Sequence, residues 1–197
     1  GMVIKVPNNI TTGTVSGAVE NSNLTTSLKN LKTKRLALLL PFKLDKIDTD
    51  SVQEAKDIMR KDKYTSVSLD FYSGVKMALD SAKQLGISTN LKVLDTENQI
   101  AQISSILANN DFSGYDAVIG PITNNNFDRV AEHLRADSVP IISPLMKPTN
   151  LYANVFQTIP SENFLEQTMI NYVKSDSLRT SVVIISDLGS RAISNRI

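Results

Sequence analysis

The feature that most constrains this chain is an unbroken apolar run, Leu36-Ala37-Leu38-Leu39-Leu40, stopped by Pro41. A strand with one wetted face alternates apolar and polar residues, so a continuous run reads as a strand covered on both faces. The same grammar of apolar run, turn residues and helix-period pattern recurs at 91–94, 117–119 and 139–143. Further apolar runs lie at 155–159 and 182–185. Such runs alternating with amphipathic helices specify an α/β fold, an open parallel sheet with helices on both faces.

The helices are legible from their stripes. Phe71, Val75, Ala78, Leu79, Ala82 and Leu85 fall on one face, with Ser68 or Asp70 as the cap and Gly86 as the stop. Thr96 with Gln99 resembles a capping box ahead of Ile100, Ile103, Ile106 and Leu107. A third helix is marked by Phe127, Val130, Ala131 and Leu134. A fourth, capped by Ser161, has Leu165, Met169, Tyr172 and Val173 as its inner face.

Two stretches stand apart from this rhythm. Fourteen of the 27 residues from 7 to 33 are Ser, Thr or Asn, which offers little apolar surface to offset ordering; 1–33 is expected to be a flexible leader or linker. Residues 43–66 carry twelve charged side chains, six of each sign, and only a short helical contact through Glu54, Ala55, Ile58 and Met59. That is long for a strand-to-helix connection, and its place at a strand's carboxyl end suits a rim or lid as well as a solvated insertion.

Composition removes several classes of function. Basic and acidic side chains nearly cancel, 21 against 20, so a nucleic-acid surface is not expected. There is no cysteine and a single histidine, His133, which excludes thiol chemistry and a zinc site built from those two residue types. His133 reads as a surface or helix-packing residue. No stretch is long and apolar enough to span a membrane. Gly1-Met2 reads as a cleavage scar ahead of a chosen start point, with a signal peptide removed upstream. The Gly-x-Gly-x-x-Gly turn of dinucleotide folds is missing after the first strand, where Pro41-Phe42-Lys43 stands; the serine-elbow, Walker and metalloprotease motifs are missing too. No cofactor, metal ligand or catalytic residue is therefore expected.

Four segments, in order, resemble the type I periplasmic binding proteins, in their branched-chain-amino-acid-binding and receptor ligand-binding branch. They are Arg35-Leu36-Ala37-Leu38-Leu39-Leu40-Pro41, Phe71-Tyr72-Ser73-Gly74-Val75-Lys76-Met77-Ala78, Asp116-Ala117-Val118-Ile119-Gly120-Pro121 and Val139-Pro140-Ile141-Ile142-Ser143-Pro144. Phe156-Gln157-Thr158-Ile159-Pro160-Ser161 is similar to the point where that family's chain leaves its first lobe. The resemblance implies a Rossmann-like lobe of a two-lobed fold: a first ligand-binding lobe at 34–160, and at 161–197 the start of a second lobe cut short by the end of the sequence. It implies a non-catalytic solute-binding or ligand-sensing protein of the periplasm or cell envelope, closing two lobes over a small polar solute. A transporter or another envelope protein would be its partner.

The resemblance places a ligand carboxylate near Thr123 or Asn124, at a strand-to-helix junction that itself favours anions. The plainer reading is that Thr123, Asn124 or Asn125 only caps the third helix. It also places Ser143 near the ligand, but puts Met146 and Lys147 where relatives carry a small residue and a threonine facing an ammonium group. Lys147 repels an ammonium and suits a carboxylate or phosphate, which would favour an anionic ligand; the plainer reading is a solvated loop charge. Phe42 and Tyr72 can supply an aromatic edge at the same rim, although core packing is the plainer reading of Phe42. Two rival readings stay open: a protein-interaction or regulatory module for envelope enzymes, and an α/β enzyme acting on a phosphorylated substrate through Asp95, Glu97 and Asp187. Residues 161–197, with an apolar helix face and a strand, are expected either to pack across a second copy or to be less ordered than 34–160.

Overall fold

In the computed structural model residues 30–47, 51–175 and 189 are described. The polypeptide divides into two compact units, 22–159 and a second formed by 1–21 with 160–197. The larger holds five strands, β1 (Lys34–Leu40), β2 (Thr89–Asp95), β3 (Ala117–Ile119), β4 (Ile141–Ser143) and β5 (Val155–Gln157). They form one sheet in the order β2-β1-β3-β4-β5, every neighbouring pair parallel. Helices α1 (Val52–Lys61) and α2 (Lys63–Gln84) lead from β1 to β2, α3 (Ile100–Asn109) leads to β3, and α4 (Asn124–Leu134) to β4.

β1 is the middle of the core, and its residues from Ala37 to Leu40 have no exposed surface. Alternate side chains divide between the faces. Ala37 and Leu39 pack with Ile103, Ile106, Phe127, Val130 and Leu134 of α3 and α4. Leu38 and Leu40 join Phe42 against Leu69, Phe71, Tyr72 and Val75 of α2. This is the two-sided burial that a continuous apolar run requires, and the expected open parallel sheet with helices on both faces is present. The run at 182–185, Asp187 and nearly all of the leader lie outside the described residues.

Local structure departs from expectation at helix starts. α2 begins at Lys63, several residues before Ser68 or Asp70, because Asp62 caps it by accepting the N–H groups of Tyr64 and Thr65. Its first turns were hidden because their inward residues are polar. Thr65 and Ser68 are fully buried; Thr65 donates to the Phe42 carbonyl, and Ser68 donates to the Tyr64 carbonyl at 2.7 Å with the Pro41 carbonyl also within reach at 3.4 Å. Much of the charged 43–66 stretch is thus ordered helix: a single 3-10 turn at Leu44–Lys46, then α1, then the start of α2. The Thr96 capping box does not form. Gln99 stands at the N-cap of α3 without a side-chain bond, and the buried Thr96 hydroxyl has no partner. β4 is shorter than 139–143 and β5 shorter than 155–159.

Gly86 ends α2 as expected, with φ +83. A second positive-φ glycine among the described residues, Gly120, follows β3 at φ +82, ahead of a cis Pro121. A Cβ there would lie 2.3 Å from the carbonyl oxygen of Leu39, so only glycine lets the β3 loop pass against β1.

In the smaller unit, α5 (Glu162–Ser175) is capped by Ser161, whose hydroxyl accepts the N–H of Phe164. The expected inner residues Leu165, Met169 and Tyr172 are exposed, whereas Ile170 is buried.

Candidate functional site

With strand order 2-1-3-4-5, the chain winds outward from β1 to β2, then returns over β1 to β3. The loops leaving β1 and β3 therefore part company and leave a crevice at the carboxyl ends of these strands, the usual place for a ligand in an open α/β sheet. Around this edge lie three hollows that share walls. One, of about 350 Å³, is lined by Tyr64, Asn98, Ile100, Thr123, Asn124, Asn125 and Asn126. A second, of about 230 Å³, is lined by Lys63, Tyr64, Val67, Ile122 and Leu145. The third, of about 520 Å³, runs along α2 beside Val67, Phe71, Val75, Ala78 and Leu145, with Asp70 at its margin.

The loop after β1 is built around one carboxylate. Asp95, the last residue of β2, accepts the backbone N–H groups of Phe42 at 2.9 Å, Lys43 at 3.1 Å and Leu44 at 2.9 Å, and that of Glu97 at 2.9 Å. Lys43 sits in the left-handed region at φ 54, which turns successive N–H groups inward as in an anion-binding nest. The protein's own carboxylate fills that nest. Its oxygens hold the loops after β1 and β2 together.

The same loop is tied to α2. Lys43 pairs with Asp62, the α2 cap, and its ammonium lies 5.7 Å from the centre of the Tyr64 ring. The Lys43 hydrogen bond holds the Asp62 carboxyl below its ordinary range, helped by the N–H groups of Thr65 and Tyr64 against a smaller opposing effect of burial. Tyr64 is thereby brought to the boundary of the two smaller hollows.

On the far wall, Thr123 is the N-cap residue of α4, yet its hydroxyl makes no capping bond. It donates instead to the side-chain oxygen of Asn98 at 2.9 Å, which also accepts from the Asn126 side chain at 3.2 Å. Asn98 reaches this position because Glu97 and Asn98 are both left-handed, at φ 50 and 57. The reading of Thr123 as a plain side-chain cap is therefore corrected: the pull of Asn98 leaves the first α4 N–H groups without it.

The six residues singled out from sequence separate into two groups. Thr123 and Asn124 line the hollow of about 350 Å³ with Asn98. Ser143 is fully buried and donates to the Met146 carbonyl at 2.7 Å, and Phe42 is 6% exposed. Phe42 meets Tyr72 edge-on, ring centres 5.8 Å apart, inside the α2-side core. Lys147 is exposed on the loop after β4 and lines none of the three hollows. Tyr64, Asn98 and Asn126 were missed. The run Asn124-Asn125-Asn126 was the available signal; nothing in sequence spacing ties Asn98 or Tyr64 to it. His133 lies apart on α4, in a groove with Ser104, Leu107, Arg129 and Glu132.

Among the described residues no group of three or more His, Asp or Glu side chains could hold a metal ion, and no helix is long and apolar enough to cross a membrane.

No family model matches the sequence, and no curated protein does. Solved structures do match in fold. The branched-chain amino acid transporter substrate-binding protein LivJ of Streptococcus pneumoniae, solved in complex with isoleucine, is 19% identical with a TM-score of 0.51. That match covers 75% of this chain and 39% of the other. The leucine-binding protein LivK of Thermotoga maritima is 16% identical with a TM-score of 0.50, over 71% of this chain and 36% of the other. The chain spans about two fifths of the length of the solved proteins it matches. Over the matched part it has the type I periplasmic-binding-protein fold to which the four sequence segments pointed.

Proposed function

We propose that this chain carries the first lobe of a non-catalytic solute-binding or ligand-sensing protein of the cell envelope, and that 161–197 belongs to a second lobe. The observation that carries the reading is the string of connected hollows along the carboxyl edge of the sheet, at its switch point. Thr123 and Asn124 hold the polar end of the solute, beside Asn98 and Tyr64, and the apolar hollow along α2 offers room for a less polar part. Binding would be coupled to closure of one lobe over the other, changing what a transporter or signalling partner meets. The fold shared with LivJ and LivK supports this reading, and each of those is named for the solute it carries. The enzyme reading finds no support at Asp95, whose carboxylate is consumed in holding backbone.

The test is calorimetry and thermal shift of the full chain against a panel of small polar solutes. We expect at least one class of solute to raise the melting temperature in a concentration-dependent way, with the effect weakened by Asn124→Ala. Uniform absence of binding would sink the solute-binding reading.

A further inference from the structure

Resting on the solute-binding reading, we infer that the solute group seated in the hollow between α2 and α4 is neutral and polyhydroxylated, of the size of a monosaccharide. The hollow's volume, about 350 Å³, falls at the lower end of the range for small-molecule sites. Its lining is uncommon in kind: four asparagines, one threonine, one tyrosine and one isoleucine, with no charged side chain.

The polarity of the hydrogen bonds narrows the choice. A threonine hydroxyl has one proton to give, and that of Thr123 goes to Asn98 at 2.9 Å. Toward a ligand Thr123 can then only accept, so it suits a hydroxyl or N–H and does not suit a carboxylate. The Asn98 oxygen is spent on two donors, Thr123 and Asn126, which leaves its amide nitrogen as the group able to meet a ligand, and that nitrogen only donates. Acceptor and donor thus stand side by side. A hydroxyl is the ligand group that satisfies both at once, and adjacent hydroxyls satisfy such a wall repeatedly.

Charge points the same way. An anion in this hollow would find the first N–H groups of α4 but no charged partner on the lining. Lys43 is paired with Asp62, and Lys63 lines the adjoining hollow. An ammonium would find no ionised acceptor on the lining, and leaving a desolvated charge without one is costly. Amide groups and a half-open tyrosine ring impose neither cost on a neutral sugar, whose C–H faces can lie on the ring.

The experiment is NMR titration of the full chain with D-ribose, D-glucose, L-leucine and propionate, following the side-chain amides of Asn98, Asn124, Asn125 and Asn126. A neutral sugar is expected to shift these amides, while leucine and propionate leave them in place. Asn98→Asp keeps an acceptor for Thr123 and Asn126 but removes the ligand-facing amide donor, so it should weaken sugar binding about tenfold while leaving the fold intact; Asn98→Leu, which removes both groups, should weaken it at least as much. A thermal melt establishes that each variant is folded, and the Asp variant carries the test if the Leu variant is not. Shifts caused by leucine or propionate and not by sugars would overturn the ligand class while leaving solute binding intact. Sugar shifts confined to Lys63 and Val67 would overturn the placement. Silence from all four compounds would overturn this inference, and the reading beneath it falls only if the wider solute panel is silent too.

Discussion

Gly120 and Asp95 do opposite things at the carboxyl edge of the sheet. Gly120 removes atoms: its missing Cβ lets the β3 loop lie against the Leu39 carbonyl at a φ of +82. Replacing it with alanine adds left-handed strain to a backbone collision that no flexible side chain can relieve. Gly120→Ala should therefore lower stability by about 1–3 kcal/mol, read from urea unfolding, if the loop yields at all. Asp95 adds atoms: two oxygens that gather N–H groups from residues 42, 43, 44 and 97. Asp95→Ala should cost about 1.5–3 kcal/mol, since the lost bonds were to a charged acceptor and water can replace them only in part. Asp95→Asn, which keeps one acceptor oxygen, should cost less. If the two variants prove equal, the carboxylate is not what holds the loop.

Among the elements, α2 links core, rim and site. Its middle packs Phe71 and Val75 on β1, and its first turn presents Tyr64 to the hollows. Asp62 governs that first turn, so Asp62→Ala should cost about 1 kcal/mol at neutral pH. The pH dependence follows from the depressed carboxyl of Asp62. Its stabilisation is complete above the unfolded value of 3.8 and is lost as pH falls through the lower folded value. The gap between wild type and Asp62→Ala should therefore narrow in melts below about pH 4; a gap that stays constant with pH would rule out the ionised cap. These elements also show what sequence can reveal. β1 was plain because burial on both faces leaves an uninterrupted apolar run, and α4 because Phe127, Val130, Ala131 and Leu134 are all fully buried. The start of α2 was hidden because Thr65 and Ser68 meet carbonyls of another loop, and no periodicity of apolar residues records that. The site divides likewise. Thr123 and Asn124 stood at a visible strand-to-helix junction, whereas Asn98 joins them across 25 residues through a turn of two non-glycine left-handed residues.

For the whole molecule, the open question of association falls on α5. Phe164, Leu165, Met169 and Tyr172 are each more than half exposed, at 58%, 52%, 59% and 64%. Burying a large apolar side chain is worth about 1.5–3 kcal/mol, so four on one helix amount to a strong drive toward any surface that can cover them. A second copy of the chain is always available as such a surface, and apolar helix faces are common seams of two-fold dimers. Residues 161–197 are accordingly expected either to associate with another copy as concentration rises or to exchange their amide hydrogens faster than β1. Light scattering across a concentration series, paired with hydrogen exchange over the same residues, separates the two outcomes. Association should be weakened by Leu165→Ser and Met169→Ser without loss of the 34–160 core, since these residues lie in the other compact unit. A concentration-independent monomer whose α5 amides are as protected as those of Leu38 and Leu39 would contradict both, and would place 161–197 in a single folded body with the sheet.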